Sequence, residues 1–201
     1  MTENRQQARL ILASSSPYRR QLLAKLQIPF TCIAPALDET QQAGESAEQL
    51  VQRLSSEKAA AVAGQLAEDD NCIIIGSDQL AVLDGQILGK PLTDENARLQ
   101  LAACSGKTVH FLTGLCLHLH PSGKRHSLLE PFAVTFRTLS TAQIERYLQA
   151  EKPLDCAGSF KAEGLGIALF EKMHGDDPNS LIGLPLIRLI TLLNQTGLAI
   201  P

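Results

Sequence analysis

The sequence predicts an α/β fold with a mixed sheet, on three observations. Short apolar runs rich in β-branched residues alternate with amphipathic stretches of helical period. Several of those stretches open on a serine or threonine suited to cap a helix. Asp84-Gly85, a strong two-residue hairpin signal, stands between two strand-like runs, so neighbouring strands are not all joined by helices. Helices packed on a sheet of mixed strand direction follow.

The elements are expected in this order. Leu10 to Ala13 is an apolar run, read as a buried strand. Ser16 caps a helix with Pro17 preorganised at its first position, and Leu22, Leu23 and Leu26 form its apolar stripe. Phe30 to Ala34 is a second strand, leading into the acidic loop Asp38-Glu39-Thr40. Ser46 and Gln49 make a capping box for a helix to about Gly64, with Leu50, Val51, Leu54 and Val62 facing inward. Cys72 to Ile75 is a strand ending in Gly76-Ser77-Asp78-Gln79. Leu80 to Leu83 and Gln86 to Leu88 flank the hairpin turn, and Thr93 caps a helix through about Cys104. Lys107 to His120 is a long strand closed by Pro121-Ser122-Gly123 and answered by strand-like residues up to Phe136. Ser140 starts a helix to about Ala150. After a glycine-rich stretch come a strand over Ile167 to Glu171 and a closing helix from Leu181 to Gln195.

No internal repeat or linker splits the chain, so its 201 residues are read as a single domain with a short polar N-terminus over residues 1–8. A formal charge of −3 argues against stable, nonspecific nucleic-acid binding, which needs a basic surface, but leaves room for a small anionic ligand. The five cysteines are scattered, odd in number and without a C-x-x-C pair, which suits reduced thiols in a cytosolic protein. The N-terminus lacks the apolar stretch of a signal peptide, and no segment reaches the roughly 18 apolar residues of a membrane span. A soluble, cytoplasmic protein with no membrane partner is expected.

Five clusters carry chemistry. Ser14-Ser15-Ser16-Pro17-Tyr18-Arg19-Arg20 runs from a strand into a helix start, whose unpaired N–H groups favour an anion. Serine hydroxyls add donors and Arg19 can grip a phosphate bidentately, but a well-capped helix with two exposed arginines is the default reading of the segment taken alone. Asp38-Glu39 can hold a hard cation such as Mg²⁺ or Mn²⁺, or be a solvated acidic turn. Lys58, after Glu57 on an alanine-rich helix, is by default a surface lysine. Asp78, at the expected end of a strand, lies where open α/β sheets bind ligands and can bind metal or take a proton from water; a turn-initiating role is the alternative. Gly89-Lys90-Pro91 fails as a P-loop, because the glycine spacing is short and Pro91 replaces the Ser/Thr that would bind magnesium, though Lys90 can still reach a phosphate as a point charge. In Ala157 to Gly166, three glycines around Lys161 and Glu163 let backbone approach a ligand. His110 and His174 are lone and read as structural or surface residues.

Taken in order, Ala13-Ser14-Ser15-Ser16-Pro17 with Arg19-Arg20, Asp38-Glu39, Glu57-Lys58-Ala59, Gly76-Ser77-Asp78, Gly89-Lys90-Pro91, Thr113-Gly114 and Ala157-Gly158-Ser159 resemble the Maf family from about residue 9 to 190. The resemblance implies a two-lobed α/β fold with an elongated mixed sheet and a central cleft, related to the inosine-triphosphate pyrophosphatases. It implies a nucleotide pyrophosphatase that cuts a nucleoside triphosphate between its α- and β-phosphates. Asp78 then resembles the catalytic carboxylate, and Glu39, with Asp38, would share a divalent cation with it. Arg19, Lys58 and Lys90 resemble the triphosphate ligands, joined by Ser14 or Ser16. No nucleophilic side chain is required of such a mechanism.

Tyr18, Gln79 and Glu163 at the specificity positions resemble the subgroup that hydrolyses 7-methyl-GTP, rather than the one that takes dTTP and UTP and has a third arginine in place of Tyr18. Charge supports the choice. N7-methylation makes guanine cationic, and a cation over an aromatic face such as Tyr18 gains roughly 0.5–2 kcal/mol. Guanine's N1–H and exocyclic amine are parallel donors that the Glu163 carboxylate can accept together. Clearing modified nucleotides would be the role. The alternatives are the same chemistry on dTTP, UTP or another nontypical nucleotide, and a nucleotide-binding regulator of cell division. A homodimer is expected by resemblance alone.

Overall fold

The computed structural model describes residues 8–200; of the polar N-terminal segment, 1–7 lie outside the described residues. In chain order the elements are β1 (Arg9–Ala13), α1 (Pro17–Ala24), β2 (Phe30–Ile33), α2 (Ala47–Ala63), β3 (Cys72–Leu83), β4 (Gln86–Leu88), α3 (Asp94–Cys104), β5 (Thr108–His120), β6 (Lys124–Phe136), α4 (Thr141–Glu151), β7 (Phe170–His174) and α5 (Leu186–Gln195). The strands are ordered β2-β1-β3-β5-β6-β7, with β4 paired to β3. β1 runs parallel to β2 and β3, while β4 on β3 and β7 on β6 are antiparallel. The mixed α/β expectation holds.

The chain clusters into two compact units. One gathers residues up to Asp78 with Thr113–Glu130 and the chain from Gly183; the other gathers Gln79–Leu112 and Pro131–Ile182. In the first, Ala59, Val62 and Ala63 of α2 pack on Ile11 and Ala13 of β1, Cys72 and Ile74 of β3 and Cys116 of β5. Ala59 and Ala63 keep the helix face small, with Ile11 and Ile74 as the bulky strand partners. In the second, Phe111, Phe136, Phe160 and Phe170 interlock edge-to-face, with ring centroids 4.9 to 5.6 Å apart. α3 and α4 close over them through Ala97, Leu101, Ile144 and Leu148.

Local caps form as expected. Ser46 and Ser140 each accept the N–H of the glutamine three residues on, whose side chain returns the bond. Three expectations are corrected. β3 does not end at Ile75 but continues unbroken to Leu83, so Asp78 lies in mid-strand. The strand expected over Ile167 to Glu171 is a 3₁₀ turn, Leu165–Leu169, followed by β7, because Ile167 has no partner strand and is exposed. The closing helix is broken: a 3₁₀ turn, Ser180–Ile182, precedes α5, since Gly183 takes φ +116° and Pro185 has no N–H to continue a helix.

The cysteines are all free thiols, with Cys72, Cys104 and Cys116 buried, Cys156 partly so and Cys32 exposed. Burial pushes the Cys104 thiol up to about 12. His110 and His174 are exposed. Among the described residues, no helix is long and apolar enough to cross a membrane.

Candidate active site

The site grows from an unusually close approach of α2 to the sheet. A Cβ at Gly76 of β3 would stand 2.0 Å from the Ser55 carbonyl oxygen, and one at Gly114 of β5 would stand 2.2 Å from that of Val51. Only glycine admits the helix backbone at both places. Side chains two apart on a strand share a face, so Asp78 projects toward α2 on the same side as Gly76. Lys58 lies one helical turn beyond Ser55 and meets it there. Its Nζ is 2.6 Å from Asp78 Oδ1 and 2.9 Å from Glu39 Oε1. Lys58 and Asp78 are both about 6% exposed. A buried ammonium without a partner would be costly, so the two carboxylates are what permit it.

Arg19 joins this group from α1. Ser16 caps the helix by accepting the Arg19 N–H at 3.4 Å, and the buried Ser14 Oγ accepts the Ser16 N–H at 3.1 Å. Each hydroxyl hydrogen remains available as a donor. Arg19 Nε donates to the Gly183 carbonyl at 2.8 Å, and among the described residues nothing takes up its two Nη atoms. Burial pushes the Arg19 pKa down, while the charges of Asp78 and Glu39 push it back up. Two cations and two carboxylates thus form one electrostatic cluster. The Gly183 carbonyl also receives Ser77 Oγ at 2.9 Å, and the same hydroxyl lies 2.9 Å from the Gly114 carbonyl.

The loop that carries Glu39 is fastened to α2 by Arg53. Arg53 Nη2 donates to the Thr40 carbonyl at 3.0 Å, Nε to Glu45 at 2.7 Å and Nη1 to Glu57 at 2.9 Å. The Arg53 bond, helped by the Gln42 N–H, holds the Glu45 carboxyl down at about 2. Asp38 turns into the loop itself, its Oδ1 accepting the Thr40 N–H at 2.9 Å and hydroxyl at 2.6 Å. Those bonds lower its pKa.

The donor set fits a hard divalent cation. Glu39 and Asp78, from separate elements, already converge on one positive centre, the Lys58 ammonium, and their oxygens lie within two hydrogen-bond lengths of each other. Among the described residues no third Asp, Glu, His or Cys joins them. One or two carboxylates completed by water and substrate phosphates is the usual way Mg²⁺ is held.

Of the remaining expected residues, Tyr18 precedes Arg19 on α1 and is half-buried. The other three belong to the second unit. Gln79 Nε2 donates to the Ser180 carbonyl. Lys90 is exposed just after β4, between Gly89, whose carbonyl accepts Gln100 Nε2 at 3.1 Å, and the buried Pro91. Glu163 is exposed on a tight turn in which the Lys161 carbonyl accepts the N–H groups of Gly164 and Gly166.

Sequence reasoning missed Arg53 and Gly183, and named Ser77 within its motif without giving it a role. The interruption Gly183-Leu184-Pro185 in an apolar run was the available signal for Gly183; nothing local marked Arg53. A separate cavity of about 930 Å³ beside α1 and β2, lined by Pro17, Arg20, Gln21, Phe30 and Cys32 among others, has no carboxylate in its wall.

The family model described as Maf-like protein matches residues 9–196. The chain is 56% identical over 192 residues to a protein of Pseudomonas aeruginosa named 7-methyl-GTP pyrophosphatase, covering 96% of this chain and 98% of that one. A protein of the same name from Pseudomonas syringae pv. tomato is 57% identical with the same coverage. Among solved structures, the Ham1 protein of Staphylococcus aureus aligns with TM-score 0.45 and 15% identity, over 65% of this chain and 72% of that chain.

Proposed function

The chain belongs to the Maf family, and on that premise we propose that it hydrolyses 7-methyl-GTP to 7-methyl-GMP and pyrophosphate in the cytoplasm. The observation that carries the reading is the convergence of Glu39 and Asp78 on the Lys58 ammonium, with Arg19 in the same field. A binding protein that only gripped phosphates would gain nothing from two carboxylates set among its cations, since they repel the ligand. A hydrolase needs one of them to take a proton.

Asp78 is buried and held by Lys58, so its carboxylate is fixed in direction. Water that donates a hydrogen bond to Asp78 loses its proton there as its oxygen bonds to the α-phosphorus, while the bond to the α–β bridging oxygen breaks and pyrophosphate departs. Arg19, oriented by Gly183 through Nε, presents two parallel Nη donors to a phosphate, and Lys58 offsets the negative charge that develops on the leaving group. The hydroxyls of Ser14 and Ser16 donate to phosphate oxygens at the start of α1. Glu39 and Asp78 would hold Mg²⁺ or Mn²⁺, which would supply Lewis-acid polarisation of the phosphates when bound, while Asp38, expected to join them, is engaged with Thr40 instead. By family resemblance Lys90 adds positive charge to the phosphates, Tyr18 offers its ring to the cationic base, Glu163 accepts the two guanine donors, and Gln79 completes the specificity set.

The test is pyrophosphate release from 7-methyl-GTP, GTP and UTP with Mg²⁺ or Mn²⁺ present, by wild type and Asp78→Asn. Wild type should turn over 7-methyl-GTP best, and the substitution should lower kcat by about 10²–10⁴-fold without unfolding the chain. Preference for UTP would overturn the substrate assignment; an undiminished Asp78→Asn enzyme would overturn the mechanism.

A further inference from the structure

The turn that carries Glu163 is mounted on the end of α4, and one residue does most of the fastening. Glu151 is the last residue of α4. Its Oε2 accepts the Leu165 N–H at 2.7 Å, and its own backbone carbonyl accepts Lys161 Nζ at 3.2 Å, with Oε1 3.8 Å from that ammonium. Lys161 thus also supplies positive charge to the carbonyl-rich end of the helix. One turn earlier, the buried Tyr147 hydroxyl accepts the Lys161 N–H at 3.0 Å. Between these anchors the Lys161 carbonyl closes the turn on Gly164 and Gly166. A Cβ at Gly164 would stand 2.8 Å from the Glu151 carboxylate, so the backbone lies directly against it.

Glu163 itself sits exposed between the fastened points. An exposed side chain on a free loop would have to be ordered by each incoming base, at a cost in affinity. A turn tied at Lys161 and Leu165 bears that ordering before substrate arrives.

We propose that Glu151 is a positioning residue for base selection, holding the 161–166 turn so that the Glu163 carboxylate is presented in one orientation. The inference rests on the reading of Glu163 as the group that accepts guanine's paired donors. It assigns to Glu151 no contact with substrate and no part in phosphate chemistry.

The experiment uses the full chain and its Glu151→Ala, Glu151→Gln, Tyr147→Phe, Glu163→Gln and Glu151→Ala/Glu163→Gln variants. Pyrophosphate release is measured on 7-methyl-GTP and on UTP. Losing a charged acceptor should raise KM for 7-methyl-GTP about tenfold in Glu151→Ala. Its kcat, and both constants for UTP, should stay within about twofold. Glu151→Gln, which still offers Leu165 N–H an oxygen, should recover most of the loss, and Tyr147→Phe should shift KM in the same direction. The double variant should be no worse on 7-methyl-GTP than Glu163→Gln alone, and amide exchange at Leu165 should speed up in Glu151→Ala. Equal losses on both nucleotides would overturn the inference, as would an unchanged KM in Glu151→Ala while Glu163→Gln raises it. If Glu163→Gln leaves selectivity untouched, the base assignment is what has failed, and the positioning role falls with it.

Discussion

Gly76→Ala tests whether the approach of α2 builds the site. The added methyl would lie 2.0 Å from the Ser55 carbonyl oxygen and 3.0 Å from both Cβ and N of Ala59. An ordinary carbon–oxygen contact is about 3.3 Å or longer, so α2 must retreat by roughly 1.3 Å. The obstacle is backbone, not the end of a flexible side chain, and relief by rotation is closed. Overpacking of this kind costs about 1–3 kcal/mol, which lowers Tm by roughly 2–12 °C for a chain of this size. Retreat would also draw Lys58 Nζ from 2.6 Å toward the 4 Å limit of an ion pair with Asp78. A displacement of about 1 Å in a catalytic group is worth about a hundredfold in rate. The expected result is a loss of about 10²-fold in kcat/KM shared by 7-methyl-GTP, GTP and UTP, together with the lower melting temperature, measured by pyrophosphate release and circular dichroism. A melting temperature that falls while kcat/KM stays at the wild-type value would refute the claim that helix–strand proximity sets the Lys58–Asp78 geometry.

Two further perturbations separate binding from stability. Arg19→Lys loses the Nε bond to Gly183 and the paired Nη donors, and should raise KM for every triphosphate about tenfold with a smaller change in kcat. His118 is buried, its Nδ1 has no hydrogen-bond partner among the described residues, and burial, with Arg125 and His120 nearby, pushes its pKa down. Because the unfolded chain then binds the proton more readily, stability is present above the ordinary histidine value near 6.5 and is lost as pH falls from there through the lowered folded value. Tm of the wild type should therefore drop more between pH 7 and pH 5 than that of His118→Leu; parallel drops would rule out His118 as the cause.

What the sequence disclosed was governed by how local each signal is. Ser46 with Gln49 and Thr93 mark their helices because a cap is settled within four residues, and Asp84-Gly85 marks its hairpin for the same reason. Gly76 misled, because glycine signals a turn unless one knows that a helix presses on it from elsewhere in the chain. Asp78 was consequently placed at a strand end when it occupies the middle. Lys58 looked like a surface residue on an alanine-rich helix, and only the glycines at 76 and 114 bring that helix near enough to bury it. Arg53 was invisible for a related reason: its three partners, Thr40, Glu45 and Glu57, are joined only once the loop folds back on α2. Family resemblance named most of the proposed site residues in advance, whereas the tether between Glu151 and Leu165 had no sequence signal at all.

The chain contains no tryptophan and two tyrosines, Tyr18 on α1 and Tyr147 on α4. One falls in each compact unit. Tyr147, sealed among the core residues and bonded to the Lys161 N–H, has its phenol pushed upward by burial. Tyr18 is half-buried at the foot of the helix that bears Arg19. Natural tyrosine emission therefore comes from just two chromophores in dissimilar surroundings, and replacing either with phenylalanine leaves a protein whose remaining light reports on a single unit.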